Sequence, residues 1–154
     1  MPHLAMHGPL GPLTIFEDSG AIVALEFGRG ASGVGGGAET PLLDQARRQL
    51  DEYFDRDRFD FDLPLAPQGS KFQRAVWDQM RSIAYGETLT YGAIARRLGS
   101  AARAVGGACG ANPIPIIIPC HRVLGAGGKM TGYSGGEGIE TKLALLRLEG
   151  YTIL

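Results

Sequence analysis

The sequence predicts a mixed fold, α/β plus α. A small N-terminal antiparallel sheet with a helix precedes an all-helical part that carries a helix-turn-helix and an active-site loop. Three observations point to it. Strand-like apolar patterning is confined to the stretch before Pro64, helix caps recur after Gly69, and Pro64-Leu65-Ala66-Pro67-Gln68-Gly69 between them is dense in breakers. The boundary expected there divides the chain into units 1–66 and 67–154.

Met1 to Pro12 lacks a basic opening and a long apolar run, so no signal peptide is expected. Leu13-Thr14-Ile15-Phe16 and Ile22 to Phe27 are strand-like, and Asp18-Ser19-Gly20 between them supplies the turn of a hairpin. Arg29 to Ala38 is a glycine-rich loop without the Gly-Lys-Ser/Thr ending of a phosphate loop. Thr40 is the expected N-cap, and Pro41 the first residue, of a helix burying Leu42, Leu43, Ala46, Leu50 and Phe54. Phe59-Asp60-Phe61-Asp62-Leu63 alternates with period two, which predicts a third strand. Beyond the linker, Ser70 caps a helix with Phe72, Ala75, Val76, Met80 and Ile83 on one face. Thr90 caps a helix from Tyr91 to Leu98, and the Gly99-Ser100 turn leads into another from Ala101 to about Gly110. The last helix runs from Ile139 to Glu149 and stops at Gly150.

Composition narrows the function. The 154 residues are 44% hydrophobic and 20% charged, as expected of a globular protein, with a net charge of −1. Two cysteines at unrelated spacing form no disulfide framework, and the three histidines make no zinc pattern, so a reducing compartment and no metal are expected. With no membrane span either, the expectation is a soluble cytoplasmic protein. The charge is unevenly spread. From Thr88 to Gly136 there is no Asp or Glu, while Arg96, Arg97, Arg103, Arg122 and Lys129 fall inside that window. A basic face on a neutral protein can still bind a phosphate backbone.

The same window holds Ile118-Pro119-Cys120-His121-Arg122-Val123, a thiol beside a proton acceptor. A thiolate is the reactive form, and His121, Arg122 and the lack of a nearby acid predict a Cys120 pKa below the usual value of about 8.5. The apolar run Ile116-Ile117-Ile118-Pro119 stiffens the approach to Cys120, and Asn112 before Pro113 is suited to bonding the turn that ends the preceding helix. In that helix, Ala102, Gly106, Gly107 and Gly110 make a bed of small side chains around one long residue, Arg103. Mid-helix glycines cost about 1 kcal/mol each relative to alanine, so the helix must gain from close approach, either to a neighbouring helix or to a DNA duplex. Cys109 reads as a small core residue.

Arg103-Ala104-Val105-Gly106-Gly107-Ala108, Asn112-Pro113, Ile118-Pro119-Cys120-His121-Arg122-Val123, Thr131-Gly132-Tyr133-Ser134-Gly135-Gly136 and Leu148-Glu149-Gly150 together resemble the core of O6-alkylguanine-DNA alkyltransferases. The likeness is strong from Gly69 to Gly150 and weaker over residues 1–66. It implies direct-reversal DNA repair, in which an alkylated guanine is flipped from the minor groove of double-stranded DNA and its alkyl group passes, once, to a cysteine. The O4 position of thymine is a further target in view. The resemblance makes Cys120 the acceptor, His121 a proton relay acting through water, Glu149 its orienting partner and Tyr91 the group that protonates the leaving base. Arg103 then replaces the flipped base, with Ala102 and Gly106 against the duplex. Asn112 marks the hinge, and Pro115, Tyr133 and Ser134 wall the pocket, where the carbonyls of Cys120 and Val123 meet the guanine amino group. No cofactor is implied, and a monomer is expected. The alternatives are a non-catalytic alkylated-DNA-binding or damage-signalling protein, against which Cys120 argues, and a cysteine hydrolase, for which no oxyanion-hole design is legible.

Overall fold

The computed structural model describes residues 1–28, 39–133, 135–136 and 138–151. The glycine-rich stretch 29–38 and Ser134, expected in the pocket wall, lie outside the described residues. The fold is the mixed one expected, a three-stranded antiparallel sheet in the order β1-β2-β3 with helices against it. The hairpin joins β2 (Gly11–Asp18) to β3 (Ala21–Phe27). Its two loop residues, Ser19 and Gly20, have φ of 52° and 82°, the left-handed pair that matches the twist of a two-residue turn.

Two strands differ from expectation. β1 (His3–Gly8) is a strand that the sequence does not announce; it pairs with β2 and buries Leu4 and Met6. By contrast, Phe59 to Leu63 forms no strand. A side chain takes the place of a neighbouring strand there: Gln49 Nε2 donates to the Asp62 carbonyl at 3.0 Å, and the Asp62 amide donates to Gln49 Oε1 at 2.9 Å. With both backbone groups of Asp62 satisfied by one glutamine, the alternating pattern has no ladder to join. The chain meets the sheet only afterwards, where Ile22 donates to the Pro64 carbonyl at 2.8 Å and Ala66 donates to the Ile22 carbonyl at 2.9 Å.

Helix α1 (Pro41–Phe54) begins at Thr40, whose hydroxyl accepts from the Leu43 amide and donates to Glu17. Its buried residues are Leu43, Ala46, Gln49, Leu50 and Tyr53, while Leu42 and Phe54 are only half-buried. The stripe is thus rotated from the expected one, and a tyrosine points inward. α2 (Lys71–Arg81) starts with a reciprocal capping box between Ser70 and Gln73. Its buried Trp77 donates to the Ala108 carbonyl at 2.8 Å and ties α2 to α4 (Ala102–Gly110). α3 (Tyr91–Leu98) is capped by Thr90 and ends at Gly99, whose φ of 63° lets the chain turn straight into α4.

The C-terminal part, expected to be all helical, also contains a short parallel pair. β4 (Leu89–Thr90) bonds to β5 (Val123–Leu124). This pairing fixes the start of α3, and hence Tyr91, beside the segment that follows Cys120. α5 (Ile139–Leu148) closes the fold, and Gly150 with φ of 84° carries the chain away from it. One apolar cluster, including Ile15 and Leu50 from the N-terminal part and Trp77, Ile94, Ile118 and Leu145 from the C-terminal part, runs through both.

Candidate active site

The loop after α4 is held from inside. Asn112 Nδ2 donates to the Ile118 carbonyl at 2.9 Å, and its Oδ1 accepts from the Ile114 amide at 3.0 Å. Between them, buried Ile116 adopts φ of 73°, a left-handed conformation that costs a β-branched residue about 1–3 kcal/mol. The asparagine clamp and close packing over-determine this backbone, so Cys120 emerges at a fixed position in a 3₁₀ turn, Cys120–Arg122, whose three side chains are all buried.

From this turn His121 and Arg122 converge on Glu149, the residue that ends α5. His121 Nε2 lies 2.7 Å from Glu149 Oε2. Arg122 donates from Nε to Oε1 at 2.8 Å and from Nη2 to Oε2 at 2.9 Å, and its Nη1 donates to the Ile83 carbonyl at 2.7 Å. Two more donors complete the knot: the Tyr53 hydroxyl to Oε2 at 2.6 Å and the Gly86 amide to Oε1 at 3.3 Å. Burial alone would raise the Glu149 pKa, but the bonds from His121 and Arg122 outweigh it and hold the carboxyl at about 2. Burial lowers the His121 pKa against the pull of Glu149, so Arg122 supplies the compensating charge and the imidazole rests neutral. An ionised carboxylate can only accept, which assigns the imidazole proton to Nε2 and leaves Nδ1 a free base. Nδ1 is buried without a hydrogen-bond partner among the described residues.

The thiol departs from expectation. Burial pushes the Cys120 pKa up, not down, while hydrogen bonding from Asn112, the charge of Lys142 and the hydroxyl of Tyr133 oppose the rise. Arg122, read from the sequence as an electropositive neighbour, is consumed by Glu149, the acid that the local sequence gave no sign of. The cation that does act on the sulfur is Lys142, fully buried, with Nζ 2.7 Å from the Val123 carbonyl and 3.2 Å from the Thr131 carbonyl. The Val123 carbonyl, assigned to the guanine amino group, therefore already accepts one bond. Lys142 and Tyr53 were both missed. A lysine and a tyrosine on amphipathic helices look like surface and packing residues until the chain is folded.

Two cavities meet at Cys120. One, of about 450 Å³, is lined by Tyr91, Gly106, Cys109, Thr131 and Tyr133 as well as Cys120. The other, of about 490 Å³, is lined by Asn112, Pro113, Pro115, Cys120 and Tyr133, with Phe27 from the sheet. The Tyr91 hydroxyl accepts from Thr131 at 3.2 Å, which leaves its own proton available, and burial raises its pKa. Among the described residues Tyr133 Oη has no nitrogen or oxygen partner, and a thiolate at Cys120 would accept from it. Cys109 sits in the first cavity too, but its thiol contacts Met80 Sδ at 3.4 Å and burial pushes its pKa up to about 12.

Arg103 is exposed on α4, far from this chemistry in role but on the same outer face as the glycines. A side-chain carbon placed on Gly106, Gly107 or Gly110 would meet nothing within 4 Å. Among the described residues no neighbouring helix presses on these three positions. Ala102 is exposed at the start of the same helix. No group of three or more metal-ligating side chains occurs among the described residues, and no helix there is long and apolar enough to cross a membrane.

Residues 4–67 match the family described as the 6-O-methylguanine DNA methyltransferase ribonuclease-like domain, and residues 71–151 match the corresponding DNA binding domain. A methylated-DNA–protein-cysteine methyltransferase of Methanosarcina acetivorans is 41% identical, with 97% of this chain and 99% of that protein aligned. The Mycobacterium tuberculosis protein of the same name is 44% identical over 92% of this chain and 87% of its own. The crystal structure of Mycobacterium tuberculosis OGT in complex with DNA superposes with a TM-score of 0.86 at 43% identity, covering 97% of this chain and 92% of that one.

Proposed function

Because the chain belongs to the 6-O-methylguanine DNA methyltransferase family, we propose a specific course for its reaction, in which Cys120 accepts one alkyl group from O6 of guanine and is consumed. The protein is a methylated-DNA–protein-cysteine methyltransferase; it binds damaged DNA and repairs it by alkyl transfer. Cys120 carries the proposal: a buried thiol at the meeting point of two cavities, next to a neutral imidazole with a free ring nitrogen.

The resting thiol is protonated, because its burial penalises a thiolate. Deprotonation therefore accompanies attack. The thiol proton passes through a water to His121 Nδ1, and the imidazolium so formed is stabilised by Glu149 through Nε2. Sulfur bonds to the alkyl carbon as the carbon–O6 bond breaks, and the departing guanine takes a proton from Tyr91, which regains one from the relay. The product thioether is neutral, so the buried site that disfavours a thiolate does not disfavour the product. A carbon–sulfur bond of this kind resists hydrolysis, which makes the reaction stoichiometric. O4-alkylthymine offers the same leaving oxygen and belongs to the proposal as a second substrate.

The DNA-binding part of the reading places Arg103 in the space of the flipped base, with Ala102 and Gly106 against the minor groove. Flipping costs a few kcal/mol, which an inserted arginine offsets. Asn112 and Pro115 fix the mouth, and Tyr133 and Ser134 line the base pocket. Segments 1–66 and 67–154 act as two units, the second holding the acceptor, and the protein works as a monomer. The test is stoichiometry. Repeated additions of duplex containing O6-methylguanine should saturate at one methyl per protein, whereas continued turnover without added factors would refute it.

A further inference from the structure

The carboxylate that orients His121 is gripped by a residue from the other half of the chain. Tyr53 is fully buried on α1, 96 positions before Glu149, and its hydroxyl donates to Oε2 at 2.6 Å. That is the same oxygen that faces His121 Nε2 at 2.7 Å. Packing leaves the phenol little freedom, since its ring stands edge-on to Phe54 at 5.5 Å and Tyr85 at 6.0 Å and tilted against Phe61 at 5.4 Å. Burial and the neighbouring Glu149 raise the Tyr53 pKa, so it remains a donor throughout the accessible range.

We propose that Tyr53 is a positioning residue of the proton relay, setting how strongly Glu149 Oε2 pulls on the His121 proton, so that residues 1–66 tune the chemistry at Cys120. The physical basis is competition. A strong hydrogen bond to a carboxylate oxygen withdraws part of its charge, and a bond to a charged partner is worth more than a neutral one, above all in a low-dielectric interior. With the Tyr53 hydroxyl in place, Oε2 shares its charge among His121, Arg122 and Tyr53, and the imidazole is a moderate base. Without it, Oε2 binds the Nε2 proton more tightly and the imidazolium persists to higher pH. A protonated His121 cannot accept the thiol proton. The other charged groups that bear on His121, namely Arg122 from the same turn and Lys142 from α5, are untouched by the change.

This inference rests on the relay proposed above, and the experiment separates the two. Single-turnover transfer from free O6-benzylguanine is followed against pH in the full chain, for the wild type and Tyr53→Phe, together with ¹⁵N titration of the His121 ring. Burial lowers the His121 pKa, so the wild-type acid limb should lie below the range of a free imidazole. Tyr53→Phe should move the limb and the imidazole titration upward together by about one pH unit, leaving duplex affinity within about threefold. Replacing Tyr53 with 3-fluorotyrosine, a stronger donor, should move both the other way. Unchanged limbs and titrations in either replacement, with normal methyl uptake, would overturn the inference and leave the proposed function standing. Should Tyr53→Phe fail to fold, the fluorinated residue alone decides. A wild type that takes up no methyl at all would instead count against the function.

Discussion

Glu149→Gln is the substitution that most sharply probes the buried knot, because it keeps the shape of the side chain while removing its charge and turning one accepting oxygen into a donor that faces other donors. Glu149 is 5% exposed and Arg122 6%, so the change leaves a guanidinium buried without its counter-ion. Breaking such a pair from one side costs about 3–5 kcal/mol. An independent route gives the same scale. The folded Glu149 pKa is about 2, against about 4.3 in an unfolded chain, and a shift of that size corresponds to roughly 3 kcal/mol. The two figures describe the same contacts and do not add. In a chain of this length the loss lowers Tm by roughly 10 °C. The sign with pH follows from the lowered carboxyl: its stabilisation is fully present above about pH 4.3 and fades as pH falls toward 2. Thermal and urea unfolding at pH 7, 5 and 3 should therefore show a gap between wild type and variant that is wide at neutrality and narrows on acidification. Alkyl transfer at neutral pH should fall about a hundredfold, since the imidazolium loses its charge partner. Equal stability at pH 7, or a gap that stays constant down to pH 3, would refute a buried, ion-paired Glu149.

Arg103→Ala should slow repair of methylated duplex about tenfold or more while leaving reaction with free O6-benzylguanine nearly unchanged, because only the duplex requires flipping; equal losses in single-turnover assays would remove the arginine from that role. Gly107→Leu should leave Tm the same or slightly higher, as a Cβ at this exposed position meets nothing within 4 Å and leucine is the better helix former. It should weaken duplex binding by at least about tenfold in a fluorescence anisotropy titration, and unchanged affinity would mean that this face of α4 does not approach DNA.

The elements with local chemical signals were legible in the sequence. Thr40 and Pro41, Ser70, Thr90, Gly99 and Gly150 all mark the helix ends where the structure has them. Elements defined by their partner were not. Phe59 to Leu63 alternates like a strand, yet Gln49 reached its backbone first. β1 was passed over because a six-residue strand, with two core residues, carries little pattern of its own. The same distinction applies at the site. Cys120 and His121 are neighbours in sequence and could be read together. Glu149 was reached only through resemblance, and Lys142 and Tyr53 are charged or polar groups that burial alone makes important. The thiol was misjudged for the same reason: adjacency to His121 and Arg122 is a sequence fact, but desolvation of Cys120 and capture of Arg122 by Glu149 arise from the packing of distant segments.

The central claim is that Cys120, and not the other thiol bordering the same cavity, receives the alkyl group. Peptide mapping by mass spectrometry after incubation with O6-methylguanine duplex tests it directly. The expected result is a single 14-dalton adduct, within about 1 dalton, on the peptide containing Cys120 and none on Cys109, with the adduct lost in Cys120→Ser. A methyl group on Cys109, or uptake that survives in Cys120→Ser, would contradict the account.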